Sequence, residues 1–388
     1  MEMVSITDIS KCCGCGACSA VCPRHAIVMQ PDAMGFLYPV VDSTKCVECG
    51  LCEKVCSFHK DYDKQPNLST PVAFAARHRN IKEIETSRSG AAFIALSDWI
   101  LENGGVVYGA GYSTLFRVVH KKAMTPCERD EFKGSKYTQS DLNDVFRMVQ
   151  EDLKAGKKVL FSGTPCQTAG LSSFIGQRLR HLLYLADIIC HGVASPFVWR
   201  DYLNYLEAKE RKRLSAVNFR DKEKFGWSGL HKESFFFVND PVKHTYSYTF
   251  YSDLMLRESC YVCPFANLTR PSDITLGDFW GWEKAVPDFN IDDKGCSLIL
   301  CNTIKGKLWL EAVQEKLTII PIDIKDCMQP NLQRPTPVNP LSKGFKEDYV
   351  RNGFAYAMKK YGNAGLAYQI RRCLNFAKRI VRKVRRKQ

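Results

Sequence analysis

Beyond residue 71 the chain alternates short apolar runs with longer amphipathic stretches. "VAFAAR" (72–77), "GGVVYGAGY" (104–112), "KKVLFSG" (157–163), "LLYLADIIC" (182–190) and "DITLGDF" (273–279) are rich in Val, Ile, Leu and Phe and end in Gly or polar turns. Such runs predict buried strands. Between them, "SGAAFIALSDWILENGG" (89–105) opens on a Ser-Gly turn and stops at a Gly pair, while "SDLNDVFRMVQEDLKAGKK" (140–158) opens on Ser140 as N-cap and stops at Gly156. Both predict helices. Strand and helix in alternation predict an α/β domain, in which ligands sit at the loops leaving the carboxyl ends of the strands. "HKDYDKQPNLSTP" is polar, holds two prolines and reads as a linker between this domain and the first sixty or so residues.

With 388 residues and 45% hydrophobic content the chain can bury a core without disulfide staples, and its length fits two or three domains. The start, "MEMVSITDIS", has no basic region, apolar segment or small-residue cleavage site, so a cytoplasmic chain without a secretory leader is expected. In a reducing compartment cysteines serve as ligands or nucleophiles. No run approaches the roughly eighteen apolar residues of a membrane-spanning helix.

Cysteines then change the picture. "KCCGCGACSAVCP" (11–23) spaces them as Cys12-x2-Cys15-x2-Cys18-x3-Cys22-Pro23, and "KCVECGLCEKVCS" (45–57) repeats this as Cys46-x2-Cys49-x2-Cys52-x3-Cys56. Three thiolates two residues apart can meet three irons of a cubane, and the fourth reaches the other cluster. Cys12, Cys15, Cys18 and Cys56 are therefore expected at one 4Fe-4S cluster, and Cys46, Cys49, Cys52 and Cys22 at the other. Cys13 is left as a spare thiol. Gly14, Gly16 and Gly50 suit a backbone wrapped closely around a cluster. Zinc also takes four thiolates, but eight cysteines in two such repeats, the first closed by Pro23, are the pattern of the bacterial two-cluster ferredoxins. Residues 1–60 resemble them.

Later loops carry further candidates. "SRSGAAF" (87–93) and "FKGSKYTQS" (132–140) combine small residues, hydroxyls and cations, which suits a phosphate-bearing ligand, with charge from Lys133 and Lys136; plain turn chemistry is the competing reading. "FSGTPCQTAG" (161–170) sets Cys166 at the start of a helix, where the dipole favours a thiolate. "DIICHG" sets Cys190 at a strand end, and "CYVCPF" supplies Cys260 and Cys263. These four thiols could close a third metal site; taken separately they are a nucleophile, a core residue and a zinc half-site or redox dithiol. His191 and Asp278 are the catalytic candidates: His191 as ligand or proton donor, or else a structural histidine, and Asp278 as a group facing a cofactor or substrate, or else a turn cap.

"SRSGAAFIALSDWILENGGVVYGAGY", "FKGSKYTQSDL", "VLFSGTPCQTAGL", "DIICHGVASPFVWRDYL", "CYVCPFANLTRPSDITLGDFWG" and "KGCSLILCNTIKG" resemble, in order over about residues 72–310, successive blocks of the coenzyme F420 hydrogenase/dehydrogenase beta-subunit family. The resemblance implies a mixed α+β and α/β chain. A small ferredoxin-like βαβ-repeat domain (1–60) and a linker (61–71) precede an α/β flavin-binding domain, divided into an N-terminal region (72–150) and a C-terminal region with the third cluster (151–340). It further implies FAD held by Ser89, Gly90, Ala91, Gly134, Ser135, Lys136, Tyr137, Gly163 and Thr164, and a third 4Fe-4S cluster on Cys166, Cys190, Cys260 and Cys263. The implied function is that of an iron-sulfur flavoprotein oxidoreductase. It would pass electrons between a ferredoxin-type redox protein, the clusters and FAD, and reduce an organic acceptor, with surface-polysaccharide biosynthesis one setting. The alternatives are an electron-relay subunit of a larger hydrogenase or dehydrogenase complex, and an iron-sulfur sensor that grips nucleic acid. Nothing in the residues identifies a site for the deazaflavin coenzyme itself.

Charge adds one more expectation. Of the net +14, nine come from the Lys and Arg of "RRCLNFAKRIVRKVRRKQ" (371–388), leaving +5 for the rest. Leu374, Ala377, Ile380, Val381 and Val384 recur at helical spacing beneath the cationic face. A basic amphipathic helical tail (341–388) that contacts an anionic membrane from the cytoplasmic side is expected in preference to nucleic-acid binding, because no nucleic-acid module accompanies it.

Overall fold

The computed structural model describes residues 8–58, 67–228, 233–237, 240–244 and 246–362. The basic segment 371–388 and most of the linker lie outside the described residues. Strands in chain order are β1 (Ile27–Pro31), β2 (Leu37–Val41), β3 (Val72–His78), β4 (Val106–Tyr112), β5 (Val118–Ala123), β6 (Val159–Gly163), β7 (Leu183–Ile188), β8 (Ala216–Asn218), β9 (Glu233–Phe237), β10 (Asp240–His244), β11 (Ile274–Asp278), β12 (Ser297–Cys301) and β13 (Leu317–Ile322). Among the described residues no helix is long and apolar enough to cross a membrane.

The main sheet has eight strands in the order β13-β3-β12-β11-β7-β6-β4-β5. Its centre, β4, β6, β7 and β11, is parallel, and β5, β12, β3 and β13 join by antiparallel pairings. Both faces are covered, which explains why the central strands read as continuous apolar runs. Successive residues point to opposite faces. Val106, Tyr108, Val159, Phe161, Leu183 and Leu185 pack with helices Val145–Lys154 and Pro165–Ile175. Val107, Leu160 and Ala186 pack on the other side, with helices Ala92–Glu102 and Ile304–Ala312. Each fully buried aliphatic or aromatic side chain there is worth roughly 1.5–3 kcal/mol.

Four of the expected strands coincide with the parallel centre, and "VAFAAR" is β3. The second expected helix starts later than Ser140: it runs from Val145, after Asp144. Asp141 is instead bonded to the sheet edge, its N–H donating to Val118 O (3.0 Å) while its carbonyl accepts from His120 N (2.9 Å). Those bonds hold the chain extended where a helix would have begun.

A second layer packs on this domain. Strands β8, β9 and β10 form an antiparallel sheet beside helix Pro196–Glu210, and helix Ser342–Lys360, kinked at Gly353 (φ 79°), drops Phe345, Tyr349 and Met358 into the same core. The first part of the segment expected as a tail thus belongs to the folded body.

In the cysteine-rich unit β1 and β2 pair antiparallel between two short helices, Ala17–Val21 and Leu51–Lys54. Each helix follows a glycine in the left-handed region, Gly16 (φ 74°) and Gly50 (φ 69°), so the sequence repeat is also a backbone repeat. The described residues carry one strand per repeat, where a βαβ repeat has two. The unit is seated firmly: Met34 and Phe36 enter the core of the second layer, Ala17 and Val55 that of the main sheet. Arg147 donates to Ala20 O (3.2 Å) and Ser19 O (3.0 Å).

Candidate functional site

Cys22, Cys46, Cys49 and Cys52 line one cavity of about 300 Å³ together with Gly50 and Glu48. Cys18 is half-buried near Cys12, Cys56 and Cys52; desolvation, then Cys12 and Cys56, push its thiol up to about 12. The structure thus brings Cys22 together with Cys46, Cys49 and Cys52, and Cys18 near Cys12 and Cys56. Helix Pro165–Ile175 lies directly against the first set, for a Cβ on Gly170 would stand 2.7 Å from Cys15 Sγ. Among the described residues no three His, Cys, Asp or Glu converge tightly enough for a single metal ion. A structural zinc needs four thiolates at about 2.3 Å from one centre, whereas a cubane spreads one thiolate to each of four irons. The donor sets fit clusters.

The later cysteines also meet. Cys166 follows Thr164 and Pro165 into its helix, Cys190 lies two residues beyond β7, and Cys260 and Cys263 sit on the turn Glu258–Val262 and just after it. All four line one gap, and Cys13 lines it with them. Cys13 lies within hydrogen-bond reach of both Cys15 and Cys166. Cys260 Sγ accepts from Val193 N (3.4 Å), and Thr164 Oγ1 is 3.2 Å from Cys166 Sγ. Cys13 and burial push the Cys166 thiol well up, so the helix dipole does not make it a free thiolate. Burial likewise raises Cys190, Cys260 (to about 12) and Cys263 (to about 11). Such thiols ionise on meeting a metal rather than before it. The gap measures about 30 Å³, so a cluster seated there requires the side chains to part.

Arg257, which the sequence reading missed, holds these regions together. Wholly buried, it donates to Cys12 O (2.7 Å), Leu37 O (2.9 Å) and Gln139 Oε1 (3.0 Å), and stacks 4.1 Å from the Tyr38 ring centre.

A larger cavity of about 620 Å³ opens at the carboxyl ends of the parallel strands. That is where an α/β sheet receives ligands, and the size suits one. Ser89, Ala91, Gly134, Ser135, Lys136, Tyr137, Gly163 and Thr164 all line it. Ala91 opens helix Ala92–Glu102 in the left-handed region (φ 62°) without a side-chain cap, and Ala92 and Phe93 of its first turn line the cavity. Gly90 does not line it. A Cβ there would stand 2.3 Å from Ala76 O and 2.8 Å from Ser297 N, so this glycine serves close packing between β3 and β12. Lys133 and Lys136 reach the cavity with their ammonium groups engaged. Lys133 pairs with Glu83 (2.8 Å) and Asp130 (3.0 Å), and Lys136 donates to the carbonyls of Glu131 and Lys133 (3.0 Å each).

The charge facing the cavity is arginine instead. Arg220 is ion-paired with Asp278 through Nη1, yet among the described residues its buried Nε and Nη2 have no hydrogen-bond partner, and neither has the buried Nε of Arg88. Burial, and then Arg220, hold Arg88 down at about 10. Arg88 stood in plain view within "SRSGAAF"; Arg220 lies in a stretch without any motif. His120, which also lines the cavity, donates through Nε2 to Ser162 O (3.0 Å), leaving Nδ1 as an unpartnered acceptor; burial holds the ring down at about 4 and hence neutral. These orphaned groups and three glycine and hydroxyl loops fit a flavin nucleotide.

The two candidates at the sheet's end differ. His191 lines both the thiol gap and the large cavity and is 2.6 Å from Asp253 through Nε2. Asp278 is engaged by Arg220 and receives the Trp227 indole N–H (3.3 Å), which makes it a positioning group for the arginine. Cys190 also lines both spaces.

Residues 156–325 match the family described as the C terminus of the coenzyme F420 hydrogenase/dehydrogenase beta subunit, and residues 11–59 match the 4Fe-4S dicluster domain. Among solved structures the chain is similar to one from a xenon-derivatised F420-reducing NiFe hydrogenase complex of Methanosarcina barkeri. The two are 15% identical over 76% of this chain and 92% of that one, with a TM-score of 0.46. No curated protein matches the sequence.

Proposed function

Because the chain belongs, through residues 156–325, to the beta-subunit family of coenzyme F420 hydrogenases and dehydrogenases and carries a 4Fe-4S dicluster domain before it, its chemistry is iron-sulfur electron transfer, and we propose that it is an FAD-dependent oxidoreductase acting on an organic acceptor. When bound, clusters supply one-electron transfer and flavin exchanges it for two-electron chemistry. The protein's part is placement. Cys22, Cys46, Cys49 and Cys52 would hold the outer cluster, with Cys49 exposed beside exposed Val47 and Leu51, an apolar rim for a redox-protein partner. Cys12, Cys15, Cys18 and Cys56 would hold the next. Cys166, Cys190, Cys260 and Cys263 would hold the third.

The observation that carries this reading is that Cys190, His191 and Gly192 form one wall between the thiol gap and the large cavity. A third cluster there would adjoin a flavin held by the Ser89–Ala91, Gly134–Tyr137 and Gly163–Thr164 loops. Neutral His120 would offer Nδ1 to an N–H or O–H of that ligand, and His191, oriented by Asp253, would hold a proton at the same wall. No residue argues for a place in surface-polysaccharide biosynthesis. Membrane contact through residues 371–388 rests on their charge and apolar spacing. Flotation on anionic liposomes by the full chain, and its loss in a chain ending at Ile370, tests it.

The deciding experiment is iron, acid-labile sulfide and flavin per polypeptide on protein purified without oxygen. About twelve irons and one FAD, the count for three cubanes, support the reading. About eight irons without flavin withdraw it in favour of a relay role within a larger complex.

A further inference from the structure

At the end of the large cavity marked by Asp278 and Trp280, two guanidinium groups stand near one carboxylate that pairs with only one of them. Arg220 gives Nη1 to Asp278 and lays its plane over Trp280, 4.9 Å from the ring centre, and Trp280 is itself stacked on Trp227 at 4.7 Å. Its other two nitrogens, Nε and Nη2, are buried with no hydrogen-bond partner among the described residues, and the residue is only 6% exposed. Arg88, on the loop before helix Ala92–Glu102, lies close enough to Arg220 for the two charges to repel, and its Nε is also buried without a partner. Behind this loop Lys222 adds a third cation. Its ammonium donates to the carbonyls of Ile84 and Lys294, and burial, then Arg88, hold it down at about 7.

Buried N–H donors of a charged group that are left unmade carry an uncompensated desolvation cost, which a partner would relieve. A guanidinium with two free donors on one fork matches the two oxygens of a carboxylate or phosphoryl group. Asp278 cannot serve both arginines. Its Oδ2 is taken by Arg220, and Oδ1 receives Trp227 Nε1.

The geometry points to Arg88 and Arg220 as a paired oxyanion site at the Asp278–Trp280 end of the cavity, which takes a carboxylate or phosphoryl group from the occupant. Two sources share that chemistry: the phosphates of a flavin nucleotide, or an anionic group on the organic acceptor. Trp280, stacked under Arg220, gives either a flat apolar floor. The site deepens the flavoprotein reading but does not stand or fall with it, since an anionic acceptor needs no dinucleotide phosphate.

The test uses the full chain with its clusters, purified without oxygen, as wild type, Arg88→Gln and Arg220→Gln. Removing one charge-assisted contact weakens binding roughly tenfold to hundredfold. In the first arm, deflavinated protein is reconstituted with FAD and with riboflavin. A loss of at least about tenfold in FAD affinity with riboflavin unchanged places the dinucleotide phosphates on the pair. In the second arm, calorimetric titration with inorganic phosphate is run on the flavin-loaded protein. Saturable heat in the wild type, weakened about tenfold or more in both variants while FAD affinity holds, places the acceptor's anion there. Unchanged FAD affinity, with phosphate heat either absent from the wild type or equal in the variants, overturns the assignment. Should Arg220→Gln fail to fold once Asp278 is unpaired, Arg88→Gln decides alone. A preparation that takes up no flavin sinks the flavoprotein reading, while the phosphate titration, then run on the flavin-free protein and its variants, still judges the pair.

Discussion

Arg257 donates through Nε to the carbonyl of Cys12 at 2.7 Å and comes within 3.5 Å of that residue's Sγ through Nη2. A wholly buried cation thus touches an expected ligand of the first cluster while lining the gap of the third. Net charge and hydrogen bonds to the sulfurs set cluster potentials, and a cation favours the reduced, more negative form. Arg257→Met should therefore lower the midpoint potential of one cluster, read by redox titration with electron paramagnetic resonance, whereas Arg257→Lys should retain most of it. The Met variant also strips the carbonyls of Cys12 and Leu37 and the amide oxygen of Gln139 of their donor, at about 1–3 kcal/mol for each group left unmet. Unchanged potentials in Arg257→Met would remove the arginine from the electron route.

Cys13 supplies the second prediction. It shares the gap with four other thiols, and a cubane takes four. Cys13→Ser should keep about twelve irons per chain, and Cys263→Ser should fall to about eight. Loss of iron in Cys13→Ser with full retention in Cys166→Ser would exchange the two in the ligand set.

What the sequence made legible follows the range of the interactions. The paired cysteine runs and the four parallel strands are local patterns, and β4, β6, β7 and β11 appear where apolar runs stand. The helix expected from Ser140 was misplaced because Asp141 prefers a sheet partner, Val118, that no local rule names. Arg257, Arg220 and the fifth thiol stayed hidden for the same reason: their meaning lies in what faces them from distant segments. Lys133 and Lys136 had the right residue type and the wrong availability, since carboxylates and carbonyls of nearby loops already hold them.

Gly90 separates packing from binding. Its missing side chain clears Ala76 O and Ser297 N, so Gly90→Ala must push apart β3 and β12 at the cavity's edge. Overpacking of this kind costs roughly 1–3 kcal/mol. The expected result is a melting temperature lower by several degrees in the cluster-loaded and the cluster-free protein alike. Ser89→Ala removes a hydroxyl bonded to Cys296 O (2.6 Å) and lining the cavity, and should lower flavin retention as well. Equal flavin loss with no thermal effect in Gly90→Ala would make the glycine a direct contact after all.

His120 gives the cavity a pH limit whose sign is fixed. Its ring stacks on Phe161 (5.0 Å between centres), and burial keeps its pKa at about 4, against about 6.5 for an unfolded histidine. Below the unfolded value the unfolded chain binds a proton that the native state refuses, so stability falls as pH drops from about 6.5 to about 4 and the loss then levels off. The span corresponds to roughly 3 kcal/mol. Protonation would also turn the free Nδ1 from acceptor to donor, so a ligand group that donates to it should be released over the same interval. His120→Gln keeps a donor for Ser162 O and carries no titratable proton. Across melts at pH 7, 6, 5 and 4, the wild type should lose its advantage over this variant steadily, and its flavin should dissociate where the variant's does not. Parallel melting curves across that range would show that the imidazole is already solvated, and the neutral acceptor assigned to the cavity would have to be given up.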